Sequence, residues 1–338
     1  MKNIVITVLL ALLTVLPLGA QSLVEEAYVD MRSGFRQTVV EKGNPDSGWN
    51  GAFHVDYLNI HLKGTVAPNV TYTFRHRLSK PVWSEKNLLN ATDFAWLTWQ
   101  ATPKFSLTAG KHPVWFGSFE FDADPIDVFY WSKSIADLYQ YYTFGVTGTY
   151  EVAPSQNLSL QFSQSPLSDG WNNSFAYSLY WNGRIAPWWE TTWSLNFIDT
   201  ELEGSTMNYA ILGNRFTAGN VVVEADFINK TSLRGQKRPF FSDGAAIINA
   251  KYRMEKVNLC LKGTWDWNWE GNFDLGGDFD VVVPCGSDIK QIAAGAEIFP
   301  FGTKYIRLHA FYNYTTAVKY AHSLDLGITW RFDLYKRK

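Results

Sequence analysis

The sequence predicts an all-β fold, a transmembrane antiparallel β-barrel of about sixteen strands. Three observations carry the prediction. Apolar and polar residues alternate along segments of about ten residues, the length a tilted strand needs to cross a bilayer. The connections between these segments alternate long and short. Aromatic residues form 16% of the chain, with 15 Trp, 17 Tyr and 23 Phe, more than one hydrophobic core requires.

The elements follow in order. MKNIVITVLLALLTVLPLGA has basic Lys2, an apolar run from Ile4 to Gly19 and a small residue at Ala20. It reads as a secretory signal peptide over residues 1–20, leaving 21–338 as the barrel domain. Removing Lys2 takes the formal charge from −2 to about −3, which argues against a nucleic-acid partner. NVTYTFRHRL sets Val70, Tyr72 and Phe74 against Thr71, Thr73, Arg75 and Arg77. In YYTFGVTGTY, Tyr142, Phe144, Val146 and Tyr150 oppose Thr143, Thr147 and Thr149. Its greasy face is expected to meet lipid, and its threonine face a wet lumen. NLSLQFSQS, SFAYSLYWN, WWETTWSLNF and the closing SLDLGITWRF repeat the pattern. TMNYAILGNRF and DFAWLTWQA read in either phase, and GAFHVDYLNIHLK changes phase near Tyr57.

VAPN, TPK, EVAPSQN, GRIAP, TAGN, MEK and PFGTK are the short connections, each flanked by longer ones. Short periplasmic turns alternating with longer outer loops place both termini in the periplasm. A soluble β-sandwich also alternates with period two. It predicts strands of five or six residues, and it leaves the aromatic strand ends unexplained.

DMRSGF near the start, the FRHRL strand, LTAGKHPVWFGSFEFDADPIDVFYWS and the closing LGITWRF together carry a resemblance. The chain resembles the phosphate-selective porin O and P family, in the divergent form common among Bacteroidetes-type bacteria. The resemblance implies a sixteen-stranded, usually trimeric barrel whose long third loop folds inward to narrow a channel. The longest insertion here, about thirty residues from His112 to Gln140, stands in that place. Family members selective for phosphate line the constriction with arginines and lysines. This loop instead holds Glu120, Asp122, Asp124, Asp127 and Asp137 against Lys133 and, at its root, Lys111. Asp333, Leu334 and further basic residues also follow Phe332, where such barrels often end.

Alternation places Arg32, Arg36, His61, Lys63, Arg75, Arg77, Arg307, His309 and Arg331 inward on strands that become neighbours when the barrel closes. They form an expected basic wall. Glu190, Glu224 and Asp226 form an expected acidic wall opposite. Such a lumen has a transverse field and, with mixed signs in a wide pore, a weak ion preference that favours anions along the arginines. The other reading of these arginines is that they solvate the lumen and pair with Asp30, Asp325 and the loop carboxylates.

The expected function is therefore an outer-membrane porin for passive diffusion of small hydrophilic solutes and ions, in contact with outer-membrane lipid and assembled as a homotrimer. The alternatives are a channel specific for phosphate-like anions or oligosaccharides, and a barrel enzyme or adhesin. No cofactor or metal is expected: the six histidines lack zinc spacing, and LGGDFD and DSGWNG lack calcium-ligand spacing. There is no nucleophile elbow, and His54 with Asp56 has no partnered nucleophile. Trp265, Trp267 and Trp269 read as an aromatic girdle rather than a sugar platform. Cys260 and Cys285 are the only possible disulfide pair.

Overall fold

The computed structural model describes residues 23–40, 48–79, 88–138, 141–168, 173–200, 204–234, 238–269, 283–317 and 321–337. The expected signal peptide and LGGDFD lie outside these residues. The strands are β1 Glu26–Val40, β2 Gly48–Ala67, β3 Val70–Arg77, β4 Thr92–Thr102, β5 Phe105–Pro113 and β6 Tyr142–Ala153. Next come β7 Gln156–Gln164, β8 Phe175–Ala186, β9 Trp189–Asp199, β10 Thr206–Ala218 and β11 Val221–Ser232. The last are β12 Arg238–Arg253, β13 Val257–Asn268, β14 Ser287–Ile298, β15 Ile306–Thr315 and β16 Ala321–Lys336.

Each strand pairs antiparallel with its neighbours in sequence, and β1 pairs with β16, so sixteen strands close into a barrel with no free edge. Closure satisfies every ladder within the sheet, which a bilayer core demands. The short connections fall at one end because alternate turns of a meander must. Four carry a residue with positive φ: Asn69 (63°), Ser155 (62°), Gly219 (57°) and Gly302 (66°). A two-residue hairpin turn needs that left-handed geometry to match strand twist.

The outward residues are those a lipid contact requires. Leu97, Val146, Leu160, Leu212, Ile248 and Ile292 are exposed along the middle of their strands. Trp99, Tyr150, Trp188, Tyr252 and Tyr305 are exposed toward the short-turn end. Trp49, Phe240, Trp265 and Trp269 occupy the other rim. Trp265, Trp267 and Trp269 share the outer face, with ring centroids 4.8 and 5.5 Å apart along the series. Aromatic rims around an aliphatic band match the interfacial preference of Trp and Tyr.

The register explains the segments of uncertain phase. Arg32 pairs with Tyr57 and Ser33 with Val55, so Asp56 is an extra residue in β2. Arg75 pairs with Phe94 and His76 with Thr92, so Asp93 is extra in β4. Each bulge turns an aspartate to the inner face, where it meets arginines. In β10 both faces are apolar: Met207, Tyr209 and Ile211 are buried inward while Leu212 is exposed outward. The closing strand does not stop at Phe332, since Tyr335 pairs with Ala27 and Lys336 with Glu26. Cys260 and Cys285 are both free thiols.

Candidate functional site

The inner wall is built by the register. Tyr28, Asp30 and Arg32 of β1 lie opposite His61, Asn59 and Tyr57 of β2, and His61 and Asn59 lie opposite Arg75 and Arg77 of β3. Across the closure, Arg32 lies opposite Thr329, and Thr329 opposite Arg307. Arg32, Arg36, His61, Lys63, Arg75, Arg77, Arg307, His309 and Arg331 therefore share one continuous inner face.

These cations are not left bare. Arg32 meets Asp56 at 3.0 Å and Arg36 meets Asp325 at 2.6 Å. Arg75 and Arg77 share Asp93 at 3.0 and 2.7 Å. Arg75 also donates to the Tyr142 hydroxyl, so this first residue of β6 turns to the lumen rather than outward with Phe144. His61 lies 2.9 Å from Asp30, Lys63 lies 3.9 Å from Glu26, and Arg331 lies 2.8 Å from Glu26. Arg307 bridges Glu297 of β14 and Asp127 of the β5–β6 connection.

The expected acidic wall resolves differently. Glu190 binds Arg184 at 2.6 Å and Arg215 at 3.2 Å, and Glu224 binds Arg215 at 2.7 Å. Arg184 pairs with Glu190 in register, and Arg215 with both Glu190 and Glu224. The result is an alternating ladder with compensated charge, not an acidic surface. Asp226 is withdrawn too. Its carboxylate accepts from Ser118 Oγ at 2.7 Å, Phe119 N at 3.1 Å and Glu120 N at 3.0 Å.

Those donors belong to the β5–β6 connection, whose short helices are α1 (Phe119–Asp122) and α2 (Lys133–Leu138). Trp115 N donates to Gln161 Oε1 and Gly117 N to Ser194 Oγ, both inner-face acceptors. Thr147, Gln161 and Ser194 are consequently buried under protein. The small polar face expected to meet water is small because the chain passes over it. A Cβ on Gly117 would stand 2.4 Å from the backbone of Trp193, so only glycine permits this approach.

Farther along, Glu120 binds Lys262 of β13 at 2.7 Å, and Ser134 donates to Asp266 of β13. Trp131 donates to Tyr57 of β2, and Arg32 to the Val128 carbonyl. Val114, Phe116, Phe121, Ile135, Leu138 and Tyr141 pack with Ile198, Met207, Tyr209, Ile211, Ile228 and Ile247 of the inner wall. This apolar inner patch was missed from sequence, although the two-way phase of TMNYAILGNRF was its trace.

Lys111 stands apart from the other expected loop residues. It lies in β5, in register with Phe144, and is buried where Phe144 is exposed. Lys133 opens α2. Asp122 accepts from the Tyr180 hydroxyl at 3.0 Å. Asp124 precedes the 3₁₀ turn Pro125–Asp127 without capping it by its side chain.

His54, Asp56 and Asp325 are close enough to share a cation. That cation is already present: Arg36 donates to Asp325 at 2.6 Å, to Asp56 at 3.3 Å and lies 3.3 Å from His54 Nε2. A metal ion would have to displace a guanidinium, so the residues do not fit one.

The family described as phosphate-selective porin O and P matches residues 27–225, more than half of the chain. No curated protein matches the sequence. Among solved structures, the anion-selective porin from Comamonas acidovorans is similar with a TM-score of 0.64 and 8% identity, over 90% of this chain and 98% of that one. OmpF of Salmonella typhi in complex with daunomycin is similar with a TM-score of 0.61 and 14% identity, over 91% and 98%. The trimer form of in-vitro folded OmpT, an outer membrane protein of Vibrio cholerae, is similar with a TM-score of 0.58 and 12% identity, over 91% and 98%. At such identities the likeness speaks for the barrel alone. Family, closed barrel and lipid-facing exterior together lead to one conclusion: the chain belongs to the phosphate-selective porin O and P family and is a porin of the bacterial outer membrane.

Proposed function

We propose that this porin passes small hydrophilic solutes and ions by diffusion through a lumen narrowed by the β5–β6 segment, with no catalysis and no cofactor. The observation that carries the reading is the pair of anchors on distant strands. Asp226 of β11 holds the start of α1, and Arg32 of β1 with Arg307 of β15 holds residues 126–128. A segment tied to both walls reduces the open cross-section between them. A channel specific for phosphate-like anions needs arginine or lysine donors free to exchange water for an oxyanion. Here each inner-wall arginine already has a carboxylate, which supports the more general pore.

A homotrimer is the assembly we propose, in keeping with the trimer form of the Vibrio cholerae relative. The lipid-facing aliphatic band leaves each barrel able to contact either lipid or another copy.

Planar-bilayer recording tests the reading. The purified protein should give stepwise conductance, and deletion of Phe119–Asp127 should raise it and admit larger solutes. A folded deletion variant with parental conductance would place the segment outside the solute path.

A further inference from the structure

The inner wall and the β5–β6 segment carry charge in different ways. Among the described residues, every arginine or lysine of the inner wall lies within 4.0 Å of a carboxylate. Beyond the pairs above, Lys230 meets Asp243 at 3.4 Å and Lys251 meets Glu297 at 3.4 Å. Several of these cations are nearly inaccessible: the Arg32 and Arg75 side chains are each 3% exposed. The wall is thus largely a set of compensated pairs, except where Arg75 and Arg77 share the one carboxylate of Asp93. Two carboxylates in the segment are arranged otherwise. Asp122 and Asp124 are exposed and take part in no ion pair among the described residues. Among the described residues Asp122 has only the neutral donors Tyr180 and Thr192, and the Asp124 side chain makes no capping hydrogen bond to the turn it precedes. Glu120 and Asp127 of the same segment are spent on Lys262 and Arg307.

We propose that Asp122 and Asp124 set the charge preference of the pore, and that the preference is for cations. The inference rests on the proposed diffusion channel and adds its selectivity. A fixed charge acts on a passing ion in proportion to how little is compensated nearby. An arginine with a carboxylate about 3 Å away is a dipole whose field falls off quickly, whereas a lone carboxylate retains a monopole field across a narrow lumen. Burial raises both carboxyls, Asp122 to about 7. Asp124 stands in electrostatic range of Asp127, His61, Arg75 and Asp30, and Asp122 in range of Asp226 and Arg215. The recordings are therefore made at about pH 8.5, where both acids are ionised. Arg75 and Arg215 are held by Asp93 and by Glu190 with Glu224, and Asp226 by the start of α1. The basic wall therefore offsets these two acids only in part.

The experiment is the reversal potential of the parent, Asp124→Asn and Asp122→Asn/Asp124→Asn proteins under a potassium chloride gradient. It is run near 0.1 M and near 1 M salt, since screening at 1 M shortens the reach of a fixed charge to about 3 Å. The parent should prefer potassium, more so at low salt. The double variant should lose about threefold in the potassium-to-chloride permeability ratio at low salt, with Asp124→Asn in between. Conductance in the variants shows that the barrel has assembled. A chloride-preferring parent, or a ratio unchanged in a conducting double variant, would overturn the inference while leaving the diffusion channel standing. A parent that does not conduct overturns the channel reading and the inference with it.

Discussion

Asp226→Ala removes the anchor that holds the start of α1 against β11. The carboxylate accepts three hydrogen bonds, from Ser118 Oγ, Phe119 N and Glu120 N, at 2.7, 3.1 and 3.0 Å. Alanine leaves two buried backbone N–H groups without acceptors, at about 1–3 kcal/mol each, and strands the Ser118 hydroxyl. Together these weaken docking of the segment by about 3–6 kcal/mol. The barrel itself should persist, because the β11 ladders to β10 and β12 are backbone bonds that do not involve this side chain. Asp226→Asn keeps one carbonyl acceptor and should cost less than half as much. Gly117→Val reaches the same end by another route, since its Cβ would press on the Trp193 and Ser194 backbone. The assay is single-channel recording, with heat-dependent gel migration to verify the folded barrel. The expected order of current noise and mean conductance is Ala above Asn above parent, with Gly117→Val resembling Ala. A folded Asp226→Ala protein with the parental current trace would refute the anchoring argument.

Two further outcomes are expected. Arg75→Ala with Arg77→Ala removes both partners of Asp93, whose side chain is 2% exposed. Reversal potential should move modestly toward cations and the barrel should lose several kcal/mol of stability; adding Asp93→Asn should restore both, and no change in either would mean that this pair neither supports the wall nor reaches the pore. Cysteines placed in VAPN, TPK and TAGN should resist impermeant thiol reagents in intact cells, while cysteines in GNPDSG and EGNFDLG should label, and the opposite pattern would invert the orientation.

Period-two alternation over about ten residues, together with aromatic strand ends, was sufficient to determine a barrel from the sequence alone. Both features are imposed strand by strand by the lipid, and each strand records them without reference to its neighbours. The alternating connection lengths determined the meander for the same reason. Which arginines share a strand face was equally legible, because a strand fixes that by its period of two.

What those arginines do was not legible, because ion pairing is decided across strands and by single-residue irregularities. Asp56 and Asp93 reach the inner face only through bulges, and a bulge reverses the alternation locally, so sequence alone gave an uncertain phase in DFAWLTWQA and a phase change near Tyr57. Arg184 and Arg215 neutralise Glu190 and Glu224 only because register places them opposite one another. Asp226 looked like a lumen charge until the chain from Ser118 to Glu120 was placed against it, more than a hundred residues away in sequence. TMNYAILGNRF could not declare its phase because it is apolar on both sides, one side facing lipid and the other facing Phe116 and Phe121. The sequence by itself determined which of the arginines share a strand face. Only the tertiary structure decided which of their charges are cancelled, since cancellation depends on distances of about 3 Å between residues the chain does not bring together locally.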